Sequence, residues 1–135
     1  MNILFICKYN RFRSRIAAEY FKKINKNKNI KVKSAGVIKG DKVDGYGVGA
    51  SKRLWGINIK GRPKTMSSKL LGNTDLAIIV ANDVPKSLLT EKINPKNIQV
   101  WNLSDTDDNK KRVDNLINKI VKKTKDLVKE LENAK

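Results

Sequence analysis

Hydrophobic residues along the chain alternate between short continuous runs and segments with helical spacing. The runs at residues 3–6 and 75–81 are typical of parallel strands that are buried on both faces. Two shorter segments, at residues 30–34 and 98–101, complete a set of four predicted strands. The strands are separated by enough chain for a helix between each consecutive pair.

Two segments have the three- and four-residue apolar spacing of amphipathic helices. One begins after Ser14, a suitable N-cap, and continues through Phe21. The other predicts a long C-terminal helix with one continuous apolar face. The apolar residues of that face are Val113, Leu116, Ile117, Ile120, Val121, Leu127, Val128 and Leu131.

The middle of the chain gives weaker signals. Residues 36–49 contain five glycines and are predicted to be mostly loop. A helix is predicted at residues 50–55, with Gly56 as its end. Pro85 suits the first turn of another helix, which would run to about residue 91.

Strands that alternate with helices predict right-handed crossovers and a parallel sheet with helices on both faces. We therefore predict one α/β domain over residues 1–135, a small doubly wound sheet of four parallel strands. Ligands bind such sheets beyond the carboxyl ends of the strands, where the strand order reverses. The loop after the first strand is a common place for them, and here it contains Cys7, the single cysteine.

The charge of the chain is strongly positive and unevenly distributed. The chain has 30 Lys and Arg against 13 Asp and Glu, a formal net charge of +17. Residues 1–67 account for +14, with 17 basic and 3 acidic residues, and residues 68–135 for +3, with 13 and 10. The first half should therefore attract anions. Nucleic acid is one such partner, but no RNA-binding aromatic motif, zinc finger or helix-turn-helix pattern accompanies the charge, and a Lys- and Asn-rich composition explains it equally well.

The composition excludes several kinds of site. One cysteine excludes an intrachain disulfide, and the lack of histidine excludes imidazole zinc sites, Ser-His-Asp triads and Cys-His proteases. Acid–base chemistry then falls to Asp, Glu, Lys, Tyr or Cys. The first apolar run is too short for a signal peptide and no later run is long enough to cross a bilayer, so we expect a cytoplasmic protein with no membrane partner.

The loop after the first strand has the form C-x5-R-S, from Cys7 to Ser14. Five residues between Cys7 and Arg13 let the chain curl around a tetrahedral dianion, so that backbone N–H groups and a helix N-terminus point at its oxygens. Arg13 can hold two of those oxygens with its planar guanidinium. The same donors, with a hydrogen bond from Ser14, would stabilise a thiolate at Cys7. The motif therefore predicts a cysteine nucleophile directed at phosphorus, whereas the alternative is a buried core cysteine at the end of a strand.

Together with several other segments, this loop resembles the low-molecular-weight protein tyrosine phosphatases, a family related in fold to arsenate reductases. The similar segments are the strand before Cys7, Ala18-Glu19 in the first helix, and residues 33–36 (KSAG), 75–83 and 101–105 (WNLSD). The resemblance implies the phosphotyrosine phosphatase I-like fold. It also implies hydrolysis of phosphotyrosine proteins or small aryl phosphates through a phosphocysteine intermediate, with no metal or cofactor and with inorganic phosphate as product.

The resemblance assigns roles to individual residues. Cys7 matches the nucleophile, Arg13 the phosphate-binding arginine and Ser14 the hydroxyl beside the thiolate. Asn10 matches an asparagine that holds the loop in shape, and Ser34 matches a hydroxyl that supports that asparagine. The residues expected to bind the substrate are Lys8, Tyr9, Asn10, Arg11, Phe12, Ser14 and Ser34.

Three loop residues depart from the family pattern. Tyr9 stands where the family usually has glycine, so either the backbone there does not need a positive φ or the loop is altered. Arg11 and Phe12 replace small or apolar residues, and Arg11 either deepens the positive field or points to solvent.

An aromatic residue that usually contacts the substrate ring has no clear counterpart. Tyr9, Phe12 and Tyr46 are the candidates to replace it.

The leaving oxygen needs a proton and a water must later be deprotonated, so a carboxyl group must serve as acid and then as base. The family has an aspartate followed by proline after the last strand. Asp105 is the best positional match, with Thr106 in place of the proline, and we predict that it, rather than Asp107, is the general acid. The other interpretation is that these are ordinary loop acids, with Asp107 and Asp108 capping the C-terminal helix.

Two rival functions stay open at this point. An arsenate reductase that uses an external small thiol is allowed, whereas versions coupled to thioredoxin pass a disulfide along further cysteines, which this chain lacks. A non-catalytic module that binds an anion or a nucleic acid on the same fold is the other rival. Cys7, Arg13 and a nearby aspartate together argue for catalysis.

Overall fold

The computed structural model describes residues 1–41, 45–107 and 109–134. Within these ranges, one sheet of four parallel strands has the order β2-β1-β3-β4. Its strands are β1 (Asn2–Cys7), β2 (Lys31–Gly36), β3 (Leu76–Ile79) and β4 (Ile98–Val100). The chain first adds β2 on one side of β1 and then β3 on the other, so the strand order reverses at β1. This confirms the predicted doubly wound sheet, and the reversal lies beside Cys7.

The described residues form four α-helices, α1 (Arg13–Ile24), α2 (Tyr46–Trp55), α3 (Ser68–Gly72) and α4 (Lys110–Asn133). Three of them, α1, α2 and α4, cover one face of the sheet. The core under α1, α2 and α4 contains an aromatic cluster, in which the ring centroid of Phe5 lies 6.0 Å from that of Phe21 and 5.8 Å from that of Trp101. This core holds α1, and with it the end of the loop after β1, against the sheet.

The long helix α4 buries the apolar face that the sequence predicts. Thr124 also lies on that face, fully buried, with its hydroxyl donating to the carbonyl of Ile120. Leu131, near the end of the helix, is only half-buried. None of the described helices is long and apolar enough to cross a membrane. The buried apolar residues of α4 are Val113, Leu116, Ile117, Ile120, Val121, Leu127 and Val128.

The opposite face of the sheet is covered more thinly, by α3 and two short 3-10 turns, Lys86–Leu88 and Pro95–Asn97. The prediction of a helix from Pro85 to about residue 91 is wrong. Of residues 85–91 only Leu89 is buried, so the segment lacks a second buried apolar residue one turn away that would hold a helix on the sheet.

Helix α1 begins two residues earlier than the sequence indicates. Its first residue is Arg13 and Phe12 occupies the N-cap position, so the prediction of Ser14 as the N-cap is wrong. Ser14 lies inside the helix, fully buried. Its hydroxyl contacts the sulfur of Cys7, a tertiary contact that competes with capping.

Helix α2 begins at Tyr46, four residues before the predicted start, so the loop before it is four residues shorter than predicted. Gly47 does not mark a loop, because a Cβ there would lie 2.5 Å from the ring of Phe12. Its lack of a side chain is required by close packing on the loop after β1, and the turn is helical in spite of its glycines. The predicted end at Gly56 is confirmed by a left-handed backbone, with φ of 65°. Residues 42–44 of the predicted loop lie outside the described residues.

Candidate active site

The phosphate loop, residues 7–14, joins the end of β1 to the first turn of α1. Cys7 is buried, and its Sγ lies 3.0 Å from Ser14 Oγ. Ser14 Oγ accepts a hydrogen bond from Asn10 Nδ2 at 2.9 Å, which leaves its own proton available to be donated to a Cys7 thiolate. A hydroxyl that donates to sulfur stabilises negative charge there. The loop therefore holds Cys7 in surroundings suited to a nucleophile.

Asn10 is the centre of the hydrogen bonds that shape this loop. Its Nδ2 also donates to Ser34 Oγ at 3.0 Å, and its Oδ1 accepts from the backbone N–H of Lys64 at 2.8 Å. Among the described residues, positive φ at a non-glycine occurs only at Asn10 (54°) and Asn102 (44°). The left-handed turn of the loop thus falls on an asparagine, which tolerates it. Tyr9, where the family usually has glycine, has an ordinary backbone.

Two glycines, the last residue of β2 and one in the loop that follows, let this part of the chain approach the phosphate loop closely. A Cβ on Gly36 would lie 2.6 Å from the carbonyl carbon of Tyr9, and one on Gly40 would lie 2.5 Å from the Tyr9 oxygen. Real Cβ atoms do not approach backbone this closely. Gly36 is also fixed from its other side, since its N–H donates to the carbonyl of Lys64 at 2.7 Å. Any side chain at either glycine would displace the loop.

Arg13 is 3% exposed and is held by residues from two other strand ends. Its Nη1 donates to the carbonyl oxygen of Leu103 at 2.8 Å. Its Nη2 donates to the carboxylate of Asp83, at 3.2 Å to Oδ1 and 3.4 Å to Oδ2. A guanidinium has five N–H groups, so this arrangement orients Arg13 and leaves donors for a bound anion.

Asp83, whose carboxylate orients Arg13, is a functional residue that the sequence did not indicate. Asp83 follows the buried strand β3 at the carboxyl edge of the sheet, where polar side chains converge on ligands. Its position after a buried strand is the one sequence feature that could have identified it. The partner of Arg13 was not readable from sequence, because the ion pair joins residues 70 positions apart.

The acid loop, residues 102–107, follows β4 and carries both candidate general acids. Asp105 is exposed, and its Oδ1 accepts from the N–H of Thr106 at 2.9 Å. Asp107 is also exposed and accepts from the N–H of Asn109 at 3.1 Å and from Arg112 Nη1 at 2.9 Å. Asp107 is therefore already engaged by a guanidinium.

The N-cap of α4 is Asn109, whose Oδ1 accepts from the N–H of Arg112 at 3.1 Å. The interpretation of Asp107 as the cap is wrong, because its carboxylate binds the N–H of the cap residue itself. Asp108, the other acid considered as a cap, lies outside the described residues. Asp105 takes no part in capping α4.

One pocket of about 270 Å³ brings most of the predicted site residues together. It includes Cys7 and Arg13 from the phosphate loop and both Asp105 and Asp107 from the acid loop. The cysteine, the guanidinium and the carboxylates thus meet in a single space. The complete lining is Cys7, Tyr9, Arg11, Phe12, Arg13, Gly45, Tyr46, Gly47, Asp105, Thr106, Asp107 and Val113.

Four predicted site residues lie outside this lining. Asn10, Ser14 and Ser34 are linked behind the loop by the hydrogen bonds described above, so they shape the site rather than border it. Lys8 extends over the ring of Tyr9, with its Nζ 5.3 Å from the ring centroid. Arg11 borders the pocket and is exposed.

The three aromatic candidates Tyr9, Phe12 and Tyr46 all line the pocket. The hydroxyl of Tyr46 donates to Asp114 Oδ1 at 2.9 Å and accepts from Arg53 Nη2 at 2.8 Å. The hydrogen bond to Asp114 is the main reason that the pKa of Tyr46 is raised. These bonds fix the ring of Tyr46 at the pocket and keep its hydroxyl protonated.

Comparison with solved structures finds the same architecture in enzymes of three kinds. A low-molecular-weight phosphotyrosine phosphatase from Vibrio cholerae O395 is 15% identical, with 98% of this chain and 97% of that chain covered and a TM-score of 0.84. The YwlE arginine phosphatase from Geobacillus stearothermophilus is 17% identical, with coverage of 98% and 94% and a TM-score of 0.83. An arsenate reductase from Archaeoglobus fulgidus is 26% identical, with coverage of 93% and 98% and a TM-score of 0.71.

Comparison of the sequence itself gives a more specific result. No protein with curated annotation matches it. The family model described as low molecular weight phosphotyrosine protein phosphatase, however, matches residues 2–134, which is almost the whole chain. The match includes the phosphate loop, Asp83 and the acid loop. The chain therefore belongs to the low-molecular-weight phosphotyrosine protein phosphatase family.

Proposed function

We propose that this protein hydrolyses phosphotyrosine, or a similar aryl phosphate monoester, through a phosphocysteine intermediate on Cys7. The observation that carries the proposal is the shared pocket of about 270 Å³, which Cys7, Arg13 and Asp105 line together. A nucleophile, an anion-binding cation and a carboxyl group are the three parts that this reaction needs.

In the first step the thiolate of Cys7 attacks phosphorus and the bond from phosphorus to the phenolic oxygen breaks. Asp105, protonated, gives its proton to that oxygen, so the phenol leaves neutral. In the second step a water attacks the phosphocysteine while Asp105 takes the water's proton. The sulfur–phosphorus bond breaks, and inorganic phosphate and the thiolate are released.

Arg13 and the backbone N–H groups of the phosphate loop bind the phosphoryl oxygens in both steps. Charge on these oxygens is redistributed in the transition state, and donors that are already oriented stabilise it without reorganisation. Leu103 and Asp83 supply that orientation for Arg13. This neutralisation of the dianion removes the need for a metal ion.

The aromatic residues of the rim favour a substrate with a ring. Tyr9, Phe12 and Tyr46 line the pocket and can contact an aryl group by edge or face. Phosphoarginine is a second candidate substrate, because the exposed carboxylate of Asp105 on the rim would suit a guanidinium. Reduction of arsenate would require an external thiol, since Cys7 is the only cysteine.

The test is hydrolysis of p-nitrophenyl phosphate in the presence of EDTA, by the wild type and by Cys7→Ser. We expect turnover by the wild type and a loss of at least ~10³-fold in the variant, because a neutral hydroxyl is a far weaker nucleophile. Acid quenching of the wild type should trap one phosphoryl group on Cys7. Activity that persists in Cys7→Ser, or that requires an added metal, would contradict the proposal.

Three further substrates define the reaction more closely. A phosphotyrosine peptide, a phosphoarginine peptide of the same sequence and arsenate with a small thiol are compared with the same wild-type preparation. The proposal expects the highest kcat/KM on the phosphotyrosine peptide. A preference for the phosphoarginine peptide would keep the phosphocysteine chemistry but change the substrate, whereas thiol-dependent arsenate reduction without peptide hydrolysis would replace the proposed function.

A further inference from the structure

A second cleft, lined by charged residues from α1, β2 and residues 60–64, shares no lining residue with the catalytic pocket. We refer to it as the basic cleft. It has six cations and one anion, Glu19, along its walls. The six cations are Arg15, Lys22, Lys33, Lys60, Arg62 and Lys64.

Arg15 is the buried cation of the basic cleft. The residue is 8% exposed, and its Nη2 donates to the carbonyls of Lys60 and of Gly61, the latter at 3.3 Å. Its Nη1 is buried and has no hydrogen-bond partner among the residues that the structure describes. Burial lowers the pKa of Arg15, against the attraction of Glu19 and Cys7. A buried guanidinium with an unused donor is costly unless an anion neutralises it.

The other cations of the basic cleft stand on backbone that is held in place. The carbonyls of Lys60 and Gly61 are bound by Arg15, and the N–H of Lys64 is bound by Asn10 at 2.8 Å. The side chains of Lys60, Arg62 and Lys64 are therefore presented from a segment fixed at both ends. Exposed charges on fixed backbone are arranged before a ligand arrives, which reduces the entropy cost of binding.

The charge of the cleft exceeds what one small anion would neutralise. Glu19 lies 3.3 Å from Lys22, and among the described residues no other cleft cation has a carboxylate within ion-pair distance. Five cations then remain, from α1, β2 and the 60–64 segment. A chain of linked phosphates supplies several charges and can span these elements at once.

We propose that the basic cleft binds a polyphosphate chain, either free or as the phosphates of a nucleotide. Single-stranded nucleic acid is the less favoured occupant. Its sequence-independent binding relies on aromatic side chains under the bases, and the uncharged side chains of this cleft are aliphatic or small and polar, without an aromatic ring. The catalytic pocket, in contrast, has three aromatic rings and both candidate acids.

The test must distinguish the two sites, because phosphate also binds the catalytic pocket. Tripolyphosphate is titrated into the ¹⁵N-labelled protein, and backbone amide shifts are followed for residues 9–13 and 60–65 separately. We expect the 60–65 amides to shift with a saturable Kd that is unchanged in Cys7→Ser, so the result does not depend on the proposed catalysis. Lys33→Gln with Arg62→Gln should weaken this binding at least ~10-fold.

The matched control is Lys86→Gln with Lys96→Gln, which removes two exposed charges elsewhere and should change the Kd less than about twofold. Equal weakening by both double variants, or shifts confined to residues 9–13, would overturn the proposal. Both pairs of positions are exposed, so the double variants should fold. Arg15→Lys tests the buried cation of the cleft. Weaker binding of tripolyphosphate by this variant, in its folded state, supports the proposal, and unchanged binding contradicts a role for Arg15.

Two further ligands test whether the phosphates of a nucleotide bind the cleft as a free polyphosphate does. Metal-free ATP should shift the 60–65 amides as tripolyphosphate does, and adenosine should shift none of them, because the phosphates carry the recognition. An eight-nucleotide single strand is the comparison for nucleic acid. If it binds more tightly than tripolyphosphate at the same ionic strength and loses as much affinity in the control double variant, the cleft is part of a general basic surface and the proposal is wrong.

Discussion

The phosphate loop and the acid loop meet in one pocket, but the functional side chains of the two loops are held in different ways. In the phosphate loop, Asn10, Ser14 and Arg13 are 1%, 0% and 3% exposed, and their hydrogen bonds include partners 24, 54 and 90 positions away. In the acid loop, Asp105 and Asp107 are exposed and bond to residues no more than five positions away. These side chains of the phosphate loop are fixed by residues across the whole fold, whereas the two carboxylates of the acid loop contact only their neighbours in sequence.

The difference follows from what each loop must do in the proposed reaction. Binding a phosphoryl group in its transition state requires several donors at fixed positions, so small displacements are costly. Proton transfer requires one carboxyl group that serves two steps and that lets substrate and water pass. Substitutions in the phosphate loop should therefore impair every substrate, whereas substitutions in the acid loop should depend on the leaving group.

The largest effect is expected from Asp105→Asn acting on phosphotyrosine. Without the acid, the phenolic oxygen must leave with its charge, and kcat should fall about 10³-fold. The phosphoryl-transfer burst with p-nitrophenyl phosphate, whose leaving group needs little protonation, should slow by less than about tenfold. Rapid-quench kinetics on both substrates measure the two effects, and a phosphocysteine should accumulate because water is no longer activated.

Asp107→Asn is the matched comparison for that variant. Its carboxylate is engaged by Arg112, so we expect a change of less than about threefold on either substrate. If Asp107→Asn gives the dependence on leaving group and Asp105→Asn does not, the general acid lies two residues further along the loop.

The next effect is expected from Arg13→Lys, which keeps the charge but loses the planar set of donors. Turnover should fall by at least about a hundredfold on both substrates alike, about 2.7 kcal/mol of transition-state stabilisation. Arg62→Lys, the same substitution outside the catalytic pocket, should leave kcat/KM unchanged. Near-normal turnover by Arg13→Lys would mean that the arginine only stabilises the fold through Asp83 and Leu103.

The smallest effect is expected from Ser34→Ala, which removes one of the hydrogen bonds of Asn10. The net value of such a bond is about 1 kcal/mol, so kcat should fall about fivefold while phosphate still binds. Ser87→Ala, an exposed serine on the other side of the sheet, is the control. Equal kcat in the two variants would show that Ser14 and Lys64 are enough to hold Asn10.

Sequence reasoning predicted the phosphate loop because its essential parts are local. The spacing from Cys7 to Arg13 lies between a strand and a helix, and both elements have clear apolar patterns. Asp83 and Lys64 were not predicted as partners, because each reaches the loop through the order of strands rather than through nearby sequence. Strand order follows from packing over the whole domain, so the contacts that it creates cannot be read from local sequence patterns.

The errors in the predicted elements have the same origin. Ser14 was assigned as a helix cap on residue type, but the nearby sulfur of Cys7 competes for its hydroxyl. The glycines before residue 50 indicated loop, whereas Gly47 lies in a helix and is glycine because a side chain there would clash with Phe12. The segment after Pro85 had a helix-starting residue without an apolar face. In each case a tertiary contact, or the lack of one, outweighed a local propensity.

The hydrogen bonds that converge on Asn10 and Arg13 also bear on how the chain acquires activity. They join residues separated by 24, 54 and 90 positions, so the site depends on non-local contacts, which form only after long stretches of chain have been brought together. A ribosome-bound chain that ends before residue 103 would lack the carbonyl that orients Arg13. Turnover by the proposed mechanism should therefore begin only once the chain has been synthesised beyond residue 103 and β4 has joined the sheet, so its onset would report that this edge of the sheet has formed.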